Sequence, residues 1–210
     1  MSSPLTEIAV YAFVTLFVVL DPPGMGPIFV AITRGEGRDY RRRMALRGSL
    51  VALIILLVFA FSGDFMLRGL GISIAAFRIA GGILLLLIAI DMLFARATPL
   101  RRTTEAEEIE AEHKRDISVF PLAIPLIAGP GALTSIVLLM GRAGDSLLLK
   151  GAVLAALLAV MAIMLIVLLA GDRMNRLLGE TGINVVGRVL GIVLAALAVQ
   201  YVIDGIKEAF

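Results

Sequence analysis

The sequence predicts an all-α membrane protein with six transmembrane helices, arranged as two inverted three-helix repeats. Three observations lead to this prediction: 60% of the 210 residues are hydrophobic, the apolar residues form long blocks, and short motifs recur at a nearly constant offset. Only 17% of the residues are charged, whereas a soluble domain keeps about a quarter. We therefore expect one membrane domain, with the lipid bilayer as its main partner.

Six apolar blocks are long enough to cross a bilayer. A spanning helix needs about 20 mostly apolar residues to cross roughly 30 Å of hydrocarbon. The six blocks are Leu5–Thr33, Ala45–Ser62, Leu70–Phe94, Ile117–Met140, Leu147–Ala170 and Ile183–Ile206.

Basic residues are concentrated on one side of this arrangement. The Arg34–Arg47 loop alone holds six arginines, and the loops after the third and fifth blocks hold most of the others. The positive-inside rule places these loops in the cytoplasm and both termini outside. Clustered arginines in a membrane protein set topology, so we expect no nucleic-acid partner.

Cysteine is absent, and the single histidine, His113, lies in the loop between the two halves. Thiolate metal sites and cysteine nucleophiles are thereby excluded. We predict no metal site, no cofactor and no enzymatic activity. Nothing resembles a phosphate-binding loop, so ATP is not the expected energy source.

An internal repeat divides the chain into two halves. Residues 63–71 and 171–179 match at six of nine positions at an offset of 108, and Pro23-Gly24 matches Pro130-Gly131 at 107. Each half has three spans, so the second half enters the membrane inverted, as in many secondary transporters. We predict a first repeat at 1–95, a cytoplasmic linker at 96–116 and a second repeat at 117–210. A duplication that only builds a stable bundle is the alternative.

Proline and glycine interrupt the first and fourth blocks near their middles. Proline lacks the backbone donor that continues a helix, and exposed peptide groups at membrane depth are tolerated where they are buried in protein or line a cavity. The N-terminus of one half-helix favours a carboxylate and the free carbonyl groups of the other favour an ammonium group, so the ends suit a zwitterion. A proline kink without a ligand is the alternative. The predicted substrate site comprises Asp21, Pro22, Pro23, Gly24, Met25, Pro27, Pro125, Gly129, Pro130, Gly131, Thr134 and Ser135.

Charged and polar side chains inside the spans are a second set of candidates. A carboxylate at this depth is costly unless paired or hydrated, so Asp21 is predicted to bind a substrate ammonium, accept a coupling proton or sodium ion, or cap the following half-helix. Arg78 and Arg188 occupy matched positions in the two halves, and Asp91 and Gln200 are further polar positions. Arg78 lies about 20 Å from Asp91 along the helix, so each has another partner or extends to an interface.

Two other groups of residues are predicted to be structural. Gly81, Gly82 and Gly191 are expected to allow close helix contact. Asp64 and Asp172 are expected to cap helices at the loop mouths.

The motifs resemble the MarC family, also called the neutral amino acid transporter family. The resemblance rests on Asp21–Phe29, Pro121–Ala132, Phe77–Met92 and Ala198–Ile206, and it covers essentially the whole chain. It implies a six-span bacterial or archaeal inner-membrane protein that transports or exports small neutral amino acids such as glycine and alanine. The family usually has Asn where this chain has Met25, so substrate specificity or coupling is expected to differ.

The leading hypothesis is a secondary transporter, exporting or exchanging its substrate by alternating access. An ion or small-solute channel or transporter on the same scaffold is the alternative, although Asp21 and Asp91 are few and scattered for a cation pore. An intramembrane enzyme using these two aspartates is the third reading. The sequence is also compatible with an oligomer.

Overall fold

The structure, a computed structural model, describes residues 3–94 and 116–210. It consists of helices joined by short turns. The elements are α1 (Pro4–Leu20), α2 (Pro22–Ile32), α3 (Arg38–Gly69), α4 (Ile74–Phe94), an irregular helix (Ser118–Ile127), α5 (Pro130–Arg142) and a helical stretch Leu147–Ala209. This last stretch is broken at Gly179, where φ is 61°, and its two apolar spans are called α6 (Leu147–Gly171) and α7 (Thr181–Ala209). The predicted linker, His113 included, lies outside the described residues except for Asp116.

The all-α membrane architecture is confirmed. Within the described residues, five helices are long and apolar enough to cross a bilayer, α1 and α2 counting together as Pro4–Ile32. The irregular helix and α5 supply a sixth span if the pair, bent by 60°, is counted as one. We call the end of the bundle where α1 begins and α7 ends the terminal end, and the end that carries Arg38–Arg43 the basic end.

Helix boundaries differ from the apolar blocks at two places. The second block was predicted at Ala45–Ser62, but α3 runs from Arg38 to Gly69, because charged residues continue a helix well outside the hydrocarbon. The third begins at Ile74 and not at Leu70, since Gly71 turns the chain with a φ of 69°. The predicted cap at Asp64 is wrong: this residue lies inside α3 and pairs with Arg68 at 2.9 Å.

Helices α4 and α7 pack antiparallel through glycine, as the sequence predicts. A Cβ atom on Gly82 would lie 2.7 Å from the carbonyl oxygen of Ala198, and one on Gly191 would lie 2.9 Å from Cβ of Met92. Neither position has room for a side chain. The backbones therefore approach more closely than ordinary helix packing permits.

Helix α5 lies at the centre of the bundle, because nine of its 13 residues are buried. It runs antiparallel to α4, with Thr134 against Gly81 and Gly131 against Leu85.

Helix α5 also runs antiparallel to α1. The Arg142 guanidinium lies 4.1 Å from the ring centroid of Tyr11, and further along the pair Leu138 shares a buried cluster with Val18. The second half therefore packs its central helix directly on the first.

Two glycine contacts join the halves in a matched way. Gly63 of α3 lies against Val137 of α5, and Gly171 at the end of α6 lies against Val30 of α2. Gly63 and Gly171 correspond at the repeat offset of 108, and Val30 and Val137 correspond at 107. Each half thus places the same glycine against the same valine of the other half.

Candidate functional site

Asp21 separates α1 from α2. Its backbone adopts a left-handed conformation with a φ of 46°, and its side chain is 1% exposed. The Gly24 N–H donates a hydrogen bond of 3.3 Å to Oδ1, so Asp21 caps α2. The capping role predicted for Asp21 is therefore present, and its carboxylate is buried beside Gly24, where a Cβ atom would collide with it.

The predicted positions Pro22, Pro23, Met25 and Pro27 lie in α2. Pro22 and Pro23 occupy its first turn, where the missing N–H costs nothing, while Pro27 lies inside the helix. Met25 is 4% exposed. Because its side chain is buried in the main hydrophobic core, it fills space where an asparagine would need polar partners.

The second interruption lies between the irregular helix and α5. Phe120 and Ile124 have extended backbones, each directly before a proline. Gly129 is the N-cap residue directly before α5 and supplies no side-chain cap, and a Cβ atom there would lie 2.6 Å from the carbonyl oxygen of Pro125. Pro130, at the first position of α5, is exposed.

The hydroxyl residues Thr134 and Ser135 are both buried in α5, at 4% and 0% exposure. Thr134 packs on Gly81 through its methyl group. Ser135 Oγ has no hydrogen-bond partner among the described residues, although the hydroxyl of Tyr201 lies close to it. A buried hydroxyl without a partner costs free energy, so a hydrogen bond formed with Ser135 Oγ would be favourable.

The two interruptions lie at similar depth. A helix rises 1.5 Å per residue, so Asp21 and Gly131 each lie about 15 Å from the contact between Tyr11 and Arg142. Since α1 and α5 run antiparallel, both distances are measured in the same direction, from the terminal end inward.

A cavity of about 260 Å³ enters the bundle at the terminal end. We call it the terminal cavity. It is lined by Tyr11, Arg78, Leu138, Leu139, Arg142, Tyr201 and Asp204. The residues predicted for the substrate site do not line it, apart from the supporting residue Arg78.

Side chains of both charge signs are held in place around the terminal cavity. Arg78 Nη1 pairs with Glu208 Oε2 at 2.8 Å, which supplies the partner that the sequence required for Arg78. Gln200 Nε2 donates a hydrogen bond of 2.7 Å to Asp204 Oδ1. Tyr201 is 4% exposed, so it forms the inner wall of the cavity.

The remaining supporting residues lie elsewhere. Asp91 is 9% exposed on α4, whereas Arg188 is exposed on α7. Neither lines the terminal cavity.

Sequence reasoning missed Tyr11, Arg142, Asp204 and Glu208 as candidates. Part of the signal was present, because Tyr201, Asp204 and Glu208 follow the i, i+3, i+7 spacing of one helix face. Tyr11 and Arg142 carried no such signal, since only the packing of α1 on α5 brings them together.

Comparisons with known proteins agree with this architecture. The family described as MarC family integral membrane protein matches residues 6–210. A UPF0056 membrane protein of Archaeoglobus fulgidus is 38% identical over 200 residues, covering 94% of this chain and 91% of the relative. One from Aquifex aeolicus is 37% identical, covering 95% and 92%. The UPF0056 membrane protein YhcE of Escherichia coli is 35% identical, covering 94% and 91%. No solved structure shows a significant match.

Proposed function

Because the chain belongs to the MarC family of integral membrane proteins, we propose that it is a secondary transporter of small neutral amino acids such as glycine and alanine. It exports or exchanges them by alternating access. The observation that carries this proposal is the terminal cavity, a recess lined by charged and aromatic side chains in a largely apolar bundle.

The terminal cavity offers groups for both ends of a zwitterion. Arg142 and Arg78 present guanidinium donors suited to a carboxylate, and Asp204 presents a carboxylate suited to an ammonium group. Charged side chains inside a membrane bundle mark solute pathways by default. A volume near 260 Å³ is below the range of about 300–1,000 Å³ for drug-sized ligands, which favours a small solute.

The two helix interruptions provide a second, deeper pair of groups. The α5 N-terminus has no side-chain cap, so its free N–H groups and positive dipole end favour a carboxylate. The α2 N-terminus is capped by the buried carboxylate of Asp21, which favours an ammonium group, a proton or a sodium ion. Ser135 lies between the terminal cavity and this level, next to Tyr201.

The matched glycine contacts support an inverted repeat. Gly63 against Val137 and Gly171 against Val30 are the contacts that a two-fold axis in the membrane plane would generate. An inverted repeat is suited to alternating access, because the two halves can exchange conformations and open one site to either side of the membrane. With the basic end in the cytoplasm, the terminal cavity opens to the outside of the inner membrane.

Reconstitution tests the proposal. Purified protein in liposomes preloaded with unlabelled alanine should take up labelled alanine by counterflow. Unlabelled glycine should compete, whereas propionate and ethylamine, which each lack one charge, should not. Asp204→Asn should reduce counterflow, with the exposed Asp64→Asn as its control. Counterflow no faster than in protein-free liposomes would reject the transporter, and ion currents without any amino acid would favour the channel alternative.

A further inference from the structure

A second recess lies at the basic end of the bundle, on its outer surface. It has a volume of about 710 Å³ and lies between the start of α3 and the end of α6. Its polar side is formed by Arg38, Arg41 and Arg42 with Glu36. We call it the basic groove.

The apolar wall of the basic groove faces the lipid. It is formed by side chains of α2 and α6, among them Ile166 and Leu169. These two are 63% and 50% exposed, so the groove is open sideways to the hydrocarbon.

The polar side of the groove lies at headgroup depth and is prepared for an anion. The apolar run of α6 ends at Gly171, and α3 begins at Arg38 after Gly37, which offers no side-chain cap. The first N–H groups of this 32-residue helix and the arginine side chains therefore lie at the same end of the groove, where both can bind an anion. Asp39 is the one acidic residue in the first turn of the helix. Arg41 is held at the groove by a hydrogen bond of 3.2 Å from Nε to the Thr33 carbonyl oxygen.

We propose that the basic groove binds an anionic phospholipid. The phosphate diester lies on Arg38 and Arg42 at the α3 N-terminus, and an acyl chain lies along Ile166 and Leu169. Guanidinium groups and a helix N-terminus both favour phosphate, and basic pockets beside membrane helices on the cytoplasmic side suit anionic headgroups. The apolar wall distinguishes this site from one for a soluble phosphate.

The inference is tested by native mass spectrometry of the full chain titrated with phosphatidylglycerol or phosphatidylcholine. The test variant is Arg38→Gln/Arg42→Gln. The control is Arg34→Gln/Arg43→Gln, which removes the same charge from the same end at exposed positions outside the groove. We expect phosphatidylglycerol to bind more tightly than phosphatidylcholine, and the test variant alone to lose about tenfold or more of that affinity.

Three outcomes would overturn the proposal. Equal losses in both variants would mean diffuse charge attraction, and no preference for phosphatidylglycerol would mean no anionic site. Displacement of the lipid by glycerol 3-phosphate at equal concentration would mean a site for a soluble anion. If the double variant does not elute as a single species, Arg38→Gln against Arg34→Gln gives the same comparison.

Discussion

Gly63 of α3 lies directly against Val137 of α5, so closely that a Cβ atom on the glycine would overlap the valine side chain. Gly171 stands in the same relation to Val30, with a Cβ-to-Cγ2 distance of 2.9 Å. The two contacts tie each half of the chain to the other. They also give the first prediction.

Gly63→Ala and Gly171→Ala should each destabilise the protein, by about 1–3 kcal/mol, because the added methyl overpacks a closed interface. Gly151→Ala is the matched control, since a Cβ atom there meets nothing within 4 Å and alanine favours the helix by roughly 0.5–1 kcal/mol. Thermal unfolding in detergent measures all three. A Gly63→Ala protein as stable as Gly151→Ala would contradict the packing described.

Substitutions at Asp21 should separate its capping role from its charge. Asp21→Asn keeps a side chain that caps helices about as well and tolerates the left-handed backbone, so the melting temperature should change little. Asp21→Ala removes the cap and should cost roughly 0.5–2 kcal/mol. In the alanine counterflow assay, both variants should lose activity about tenfold or more if the buried charge contacts substrate or a coupling ion.

The informative case is Asp21→Asn. A stable protein with normal counterflow would restrict Asp21 to capping and remove its charge from the transport site. Loss of stability in Asp21→Asn would mean that the charge itself is needed for folding.

Tyr11 should affect substrate binding by holding the Arg142 guanidinium in position over its ring. Tyr11→Phe keeps the ring under the guanidinium, so the apparent KM for alanine should stay close to that of the wild type. Tyr11→Leu removes the ring and with it an attraction of about 0.5–1 kcal/mol for an exposed pair, which corresponds to about a two- to fivefold higher KM. Equal KM values for the two variants would show that this cation–π contact does not position Arg142.

Asp116 should make stability depend on pH. It accepts hydrogen bonds from the Ser118 hydroxyl and from the Ser118 N–H, and it pairs with Arg47. The hydrogen bonds from Ser118, and then Arg47, lower the pKa of this carboxyl below its usual value. A lowered folded-state pKa stabilises the protein above the unfolded pKa, near 3.9, and the effect is lost as the pH falls through the folded pKa.

The comparison is with Asp116→Asn. At neutral pH the wild type should be more stable by less than about 1 kcal/mol, because the ion pair is half exposed. The difference between the two proteins should shrink below about pH 4. A difference that stays constant from pH 7 to pH 3 would contradict the role of the charged form.

The sequence predicted the spans because a run of apolar residues reports the thickness of the hydrocarbon directly. The observed Pro4–Ile32 span matches the predicted Leu5–Thr33 almost residue for residue. The same reasoning failed for α3, whose first residues, Arg38–Arg43, are helical but lie outside the hydrocarbon. Hydropathy measures where a helix is buried in lipid and not where it begins.

The terminal cavity could be predicted only in part. Arg78 attracts notice as a charged residue in an apolar helix, but its neighbours Tyr11 and Arg142 come from different helices of different halves. The matched glycines Gly63 and Gly171 illustrate the same limit. Their repetition is visible in the sequence, whereas their valine partners emerge only from packing.

The ion pair between Arg78 and Glu208 also bears on how the protein is made. Arg78 enters the bilayer with α4, whereas its partner arrives on α7, after three further helical segments have been synthesised. An arginine lodged near the membrane interface meanwhile relies on its long side chain to reach water. Membrane insertion of α4 therefore comes before the charge of Arg78 is neutralised. The ion pair with Glu208 can form only after α7 has been translated.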